Sequence, residues 1–158
     1  MYNVPDIVFT WAGINSNFPG NRYNYELFYS IKSVLKYLQW CNNIYILVNR
    51  NIEIPQEILN LNKGKIKRVN RSDLFDDQNI SITQNSFAVY SIVDKIPNLG
   101  ERFILFDDDF MLTRPLSISY FFRESYPIVR NIHKKKKKKN EKNVVIPSDL
   151  KRPIYKYR

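Results

Sequence analysis

One cysteine and one histidine in 158 residues remove most of the chemistry that clustered side chains supply. Cys41 has no second cysteine with which to form an internal disulfide, and no Cys/His set exists to hold zinc. His133, the only imidazole, abuts a run of lysines, where it makes a poor general base. A chain without disulfides suits a reducing compartment, so a cytoplasmic location is the expectation. Long apolar runs are missing too. No segment approaches the roughly 20 residues of a membrane span. The opening residues lack the basic stretch and long apolar run of a secretory leader. Finally, the body of the chain has no excess of either charge. The formal net charge is +10, yet twelve of the 25 Lys and Arg and only two of the 15 acids fall in residues 130–158, leaving thirteen of each sign in residues 1–129. That neutrality argues against nucleic acid as a partner, because phosphate contacts need a basic surface on the folded domain.

What is present is an alternation of short apolar runs and helical stripes. Residues 6–11 (DIVFTW) are β-branched and aromatic and stop at Ala12 and Gly13, ahead of a polar loop. From 23 to 38, Leu27, Ile31, Val34, Leu35 and Leu38 recur at helical spacing. Residues 44–48 (IYILV) form a continuous apolar run, the pattern of a strand covered on both faces. A short helical stretch at 55–59 and a weaker strand at 66–69 follow, then a polar loop over 71–84. Val89, Ile92, Val93 and Ile96 mark a second helix over 86–95, ended by Pro97 to Gly100. Residues 102–106 read as a further strand, 118–122 as a short helix and 144–146 as a small strand. The alternation predicts an α/β fold: a mostly parallel sheet with helices on both faces. One domain over 1–129 and a basic, flexible tail over 130–158 are expected.

Three consecutive carboxylates, Asp107, Asp108 and Asp109, stand between RFILF and FML. Acids pinned between apolar runs are costly to desolvate and call for a cation, a hydrogen-bond network or an edge position. In α/β proteins ligands bind beyond the carboxyl ends of the strands, and hard oxygen ligands there suit Mg or Mn bridging nucleotide phosphates. An acidic turn that caps the next segment is the alternative. Alternation along a strand would turn Asp107 to the side of Asp109 and away from Asp108.

Three ordered stretches, DIVFTWAG at 6–13, RYNYELFYSIKSVLKYLQWCNNIYILVN at 22–49 and NSFAVYSIVDKIPNLGERFILFDDDFMLTRPL at 85–116, resemble the Stealth family of hexose-1-phosphate transferases, in its first and second conserved regions. The resemblance implies a glycosyltransferase A-like fold and transfer of a sugar-1-phosphate from a nucleoside diphosphate sugar to the hydroxyl of a glycan acceptor. It places Asp108 and Asp109 on the family's paired acids, and Glu26, Asn85, Ser86, Arg102 and Arg114 on family positions. Departures are equally visible. Asp107 stands where the family shows Asn, and Tyr90 where it shows Glu. Tyr25, Phe28 and Phe87 replace other polar residues, only Ala12 separates Trp11 from Gly13, and the later conserved regions have no counterpart. Two alternatives therefore accompany the sugar-1-phosphate transferase: a metal-dependent glycosyltransferase that moves only the sugar, and a non-catalytic remnant that binds a nucleotide sugar or a protein.

In this light Asp108, Asp109 and Arg114 are the candidate catalytic residues, and Asp107 and Asp109 the candidate ligands for Mg or Mn. Arg114 neutralises a phosphate or pairs with the acids, on equal terms. Asn85, Ser86, Glu26 and Trp11 are candidates for substrate binding. Each has a plainer role available: capping, expected first of Ser86, for the polar pair, a solvated helix edge for Glu26, and core for Trp11. Arg102 and Asp6 begin their strands and lie at the end away from a site, Arg102 in a surface ion pair. The six lysines from Lys134 to Lys139 read as a solvated linker, a peripheral anchor to an anionic membrane, or a nucleic-acid contact.

Overall fold

The computed structural model describes residues 4–13, 25–76, 85–124 and 126–128. Four parallel strands, β1 (Asp6–Thr10), β2 (Ile44–Val48), β3 (Ile66–Asn70) and β4 (Phe103–Asp107), form one sheet in the order β3-β2-β1-β4. Helix α1 (Glu26–Tyr37) crosses between β1 and β2, and the one-turn helix α2 (Gln56–Leu59) lies between β2 and β3. Parallel strands need such crossovers, and helices then cover both faces of the sheet.

The period of two along the strands sorts the core into two layers. Ile7, Phe9, Ile44, Ile46 and Val48 pack with Leu27, Ile31 and Val34 of α1 and Ile58 of α2. Val8, Tyr45 and Leu47 point the other way, onto Val89, Ile92, Val93 and Ile96. All five residues of β2 are buried, as its continuous apolar run predicts. Full burial of side chains of this size contributes roughly 1.5–3 kcal/mol each, so these two central strands anchor the domain.

Several expectations shift. The stripe over 86–95 is not one helix: α3 spans Ser86–Tyr90, and Val93–Lys95 form a separate 3₁₀ turn. Both arrangements bury the same apolar residues, and the β-branched Val89, Ile92 and Val93 are weak helix formers. The loop expected from 71 opens instead as a 3₁₀ turn over Arg71–Leu74, with Arg71 buried. The last sheet strand starts and ends one residue later than expected, so Asp107 belongs to β4. After α4 (Ile118–Phe121), Phe122–Arg123 and Tyr126–Pro127 pair as a two-stranded antiparallel ribbon, β5 and β6. Arg102 stacks on Phe122 and donates to the carbonyl of Glu124, tying the start of β4 to this ribbon. The expected strand at 144–146 and the basic segment 130–158, with its lysines, lie outside the described residues. Among the described residues no helix is long and apolar enough to cross a membrane.

The strands are tied together at their amino ends by one buried carboxylate. Asp6 is fully buried. Its Oδ1 accepts from the side-chain amide of Asn42 (3.0 Å) and from the backbone and side chain of Asn43 (2.9 and 3.1 Å), while Oδ2 accepts from the Gly100 amide at 2.7 Å. One side chain thus joins the start of β1 to the segments that lead into β2 and β4. A Cβ on Gly100 would sit 3.1 Å from that Oδ2, so glycine keeps the approach open. At the other end, Gly13 has φ +87°, and a Cβ there would overlap Ile52. Glycine lets the chain leave β1 against the second crossover.

Replacing Asp6 by Ala leaves four part-buried donors without their acceptor, and we expect a loss of about 2–4 kcal/mol in urea unfolding, a large share of a small domain's stability. Asp6→Asn keeps the acceptor at Oδ1 but turns an amide N–H₂ toward Gly100, and is expected to cost about 2 kcal/mol. Equal stability of the three proteins would contradict the clamp.

Candidate functional site

Because the amino ends are aligned, the carboxyl ends fall level and open onto one polar cavity of about 300 Å³. Each strand contributes to its wall. Thr10, Trp11 and Ala12 come from the end of β1, Leu47 from β2, Arg71 from the turn after β3, and the three aspartates from the end of β4. Helix α3 closes one side with Ser86, Val89 and Tyr90. This is the position at which open α/β sheets bind ligands.

The acidic turn is held from both sides. Phe9, Phe106 and Phe110 stack in series, with ring centroids 5.7 and 5.5 Å apart, which fixes the residues flanking the aspartates. Beyond the turn, the Ser30 hydroxyl donates to the Phe110 carbonyl, the Leu112 amide donates to Ser33 Oγ at 3.0 Å, and Trp40 Nε1 donates to the Leu116 carbonyl at 2.6 Å. Helix α1 and the residues after it therefore pin the segment that follows the cluster. The backbone itself turns at the cluster, the Phe110 amide donating to the Asp107 carbonyl at 3.2 Å. The strand ends at Asp107, and all three aspartates line the cavity.

Their environments differ. Asp107 Oδ1 accepts from the Tyr90 hydroxyl at 2.6 Å and from Thr10 Oγ1 at 3.5 Å. Burial, and then the hydrogen bond to Asp107, push the Tyr90 phenol up to about 12, so it stays protonated at neutral pH and donates. Burial is also the main cause that raises the Asp108 carboxyl above the ordinary carboxylate range. The charges of Asp109, Glu26 and Asp107 add to it, while its own backbone N–H works in the opposite direction. Among the described residues the ion pairs are Arg50–Asp73 and Lys95–Asp76, and neither involves the cavity acids. Also among the described residues, no group of three or more His, Cys, Asp or Glu side chains is arranged to hold a metal ion.

The other expected residues divide. Trp11 is both buried and part of the cavity wall, so its two readings coincide. Ser86 lines the cavity, whereas Asn85 is the helix cap: its side chain accepts from the Phe87 amide at 2.9 Å. The cap expected first of Ser86 thus falls one residue earlier. Glu26 opens α1 outside the cavity lining and acts on Asp108 only through its charge. Arg114 is exposed and does not line the cavity. The basic residue that does line it is Arg71, at the start of the stretch whose polarity predicts a loop. Its position directly after a parallel strand is the signal that marks it. Tyr90, a departure from the family pattern, holds Asp107. Cys41 is buried and its thiol is pushed up, chiefly by that burial, which suits a structural residue and not a nucleophile.

A parallel sheet with a polar, acid-walled cavity across its strand ends defines a Rossmann-like α/β domain of the glycosyltransferase-like kind. The chain belongs to the Stealth family: residues 21–129 match the model of Stealth protein CR2, conserved region 2. It is 41% identical over 98 residues to a capsular polysaccharide phosphotransferase of Haemophilus influenzae, covering 62% of this chain and 26% of that protein. A capsular polysaccharide phosphotransferase of Neisseria meningitidis serogroup B is 32% identical over 148 residues, covering 78% of this chain and 39% of that one. An exopolysaccharide phosphotransferase of Streptomyces coelicolor is 33% identical over 97 residues, covering 61% and 16%. The chain thus spans well under half the length of these curated relatives.

Because the folded state favours the protonated form of Asp108, its charge costs stability at neutral pH, and that cost disappears below the ordinary carboxylate pKa near 4. Asp108→Asn is therefore expected to raise the melting temperature by ~2–5 °C at pH 7 and by nothing at pH 3. A gain of the same size at both pH values would contradict the burial argument.

Proposed function

We propose that the chain acts in polysaccharide synthesis as a phosphotransferase, moving a sugar-1-phosphate from a nucleoside diphosphate sugar to an acceptor hydroxyl, with the cavity across the strand ends as its donor site. The observation that carries this reading is the convergence of Asp107, Asp108 and Asp109 in one cavity of a Stealth-family domain. The names of its relatives support it. Attack at phosphorus leaves the sugar's anomeric bond intact and develops charge on phosphoryl oxygens. Catalysis then rests on positioning and electrostatic stabilisation.

The chain's own residues divide that work by location. The Trp11 side chain offers an apolar wall at the end of β1, suited to a base or a sugar ring. Ser86 offers a hydroxyl from α3. The oxygen-only donor set at the β4 end fits Mg or Mn, since Mg is commonly held by one or two carboxylates and completed by substrate phosphates and water. Asp107 and Asp109 would hold the ion, with Asp108 beside them. When bound, it would offset charge on the donor phosphates. The location proposed with this function is cytoplasmic, with the lysines at 134–139 as a peripheral contact to an anionic membrane surface.

The pair Tyr90–Asp107 bears on whether the site is degenerate. Where the resemblance expects Glu and Asn, this chain has Tyr and Asp. One carboxylate remains in the pair and sits on the other partner, with Tyr90 donating to it. We read this as a compensated exchange that keeps the charge of the site. Accordingly, Tyr90→Phe and Asp107→Asn are each expected to weaken nucleotide-sugar binding about tenfold, and Tyr90→Glu combined with Asp107→Asn to recover most of the loss. Strictly additive losses in that double-mutant cycle would contradict it.

The reaction itself is tested with UDP-sugars carrying labelled β-phosphorus, supplied with Mg or Mn and a capsular glycan acceptor. Label recovered in the acceptor, with UMP released, is the expected result. Label retained in released UDP would assign transfer of the sugar alone, and binding without any release would assign a non-catalytic nucleotide-sugar module.

A further inference from the structure

Arg71 sits on the opposite side of the cavity from the aspartates. It follows β3, at one edge of the sheet, while the acids follow β4 at the other. Three interstrand spacings, roughly 14 Å of backbone, separate the two ends. Arg71 as a residue is only 6% exposed, its Nε is buried without a hydrogen-bond partner, and it lines the same cavity. It enters neither of the ion pairs among the described residues. Burial alone lowers its pKa from the ordinary guanidinium value, with no compensating carboxylate among the causes. A buried guanidinium nitrogen without a hydrogen-bond partner is costly to a folded protein. A cavity with unneutralised carboxylates on one wall and an unneutralised guanidinium on the other matches a ligand that carries a cation and an anionic group together.

We propose that Arg71 is the anion-binding residue of this cavity and receives a phosphoryl group of the ligand, on the side away from the aspartates. The proposal deepens the donor-site reading and rests on it for the identity of the natural ligand, but not for the anion site itself. Arginine suits the task because its planar fork donates two parallel hydrogen bonds to phosphate and stays protonated when buried. Arg71 is here a binding residue, and exposed Arg114 is not required for it.

The test uses the full 158-residue chain and inorganic pyrophosphate, titrated calorimetrically at low salt with and without Mg. Wild type is expected to bind, Arg71→Gln to bind at least tenfold more weakly, and Arg71→Lys to fall between them. Arg123→Gln, an exposed control, is expected to match wild type. Unchanged affinity in a folded Arg71→Gln protein overturns the assignment. Should that variant fail to fold, arginine modification of the wild-type chain by phenylglyoxal decides: protection of Arg71 by pyrophosphate, read by mass spectrometry, supports the site, and equal modification with and without pyrophosphate overturns it. The transferase reading fails separately. Arg71-dependent pyrophosphate binding without any use of UDP-sugars leaves the anion site standing and removes the transferase. Normal UDP-sugar turnover by Arg71→Gln does the reverse.

Discussion

The structure depends on the alignment of its four strands, and the Asp6 carboxylate is the group that enforces it. A fully buried acid survives only if its oxygens are saturated with donors, and the donors here come from the segments that begin two other strands. With Asp6 fixed against Gly100, Asp6 pairs with Phe103 and the register runs on until Thr10 pairs with Asp107. A slip of one residue would turn alternate side chains of β1 to the wrong layer, exchanging Phe9 for Val8 between two differently shaped cores. The amino-end clamp and the carboxyl-end cavity are therefore two ends of one constraint, about 13 Å apart along a five-residue strand.

At the carboxyl end the same constraint produces an electrostatic imbalance that the protein does not relieve internally. Acids gather where β4 ends, and a guanidinium is buried where β3 ends. The two do not meet. Charges of this kind reduce stability, as the raised carboxyl of Asp108 and the lowered guanidinium pKa of Arg71 both indicate. Sites that hold ligands accept such costs where purely structural regions do not. The Stealth-family match places this imbalance in the region of the chain shared with polysaccharide phosphotransferases.

Much of this was legible in the residues, for physical reasons that differ by element. The run IYILV at 44–48 allows no amphipathic reading, so its burial on both faces followed directly. The 27–38 stripe and the acidic strand end were equally plain. The α3 region was harder, because Val89, Ile92, Val93 and Ile96 satisfy a helix and a broken helix alike. The turn at Asp107 escaped because a period-two rule says nothing about where the period stops. Arg71 escaped because polarity beside Ser72 and Asp73 reads as loop, and only the parallel strand before it reveals that this loop starts at a binding edge. Arg114 is close to the aspartates in sequence, but a chain leaving a sheet edge soon carries its residues away from the site.

The aspartate wall at the end of β4 is proposed to take part in binding a metal–diphosphate ligand. Calorimetric titration of the full chain with UDP in the presence of Mg, beside an Asp108→Ala/Asp109→Ala variant of the same fold, tests it most directly. Saturable, Mg-dependent binding by the wild type that is lost in the variant is the predicted result. Equal binding by both proteins would contradict the claim and remove the acidic turn from the site.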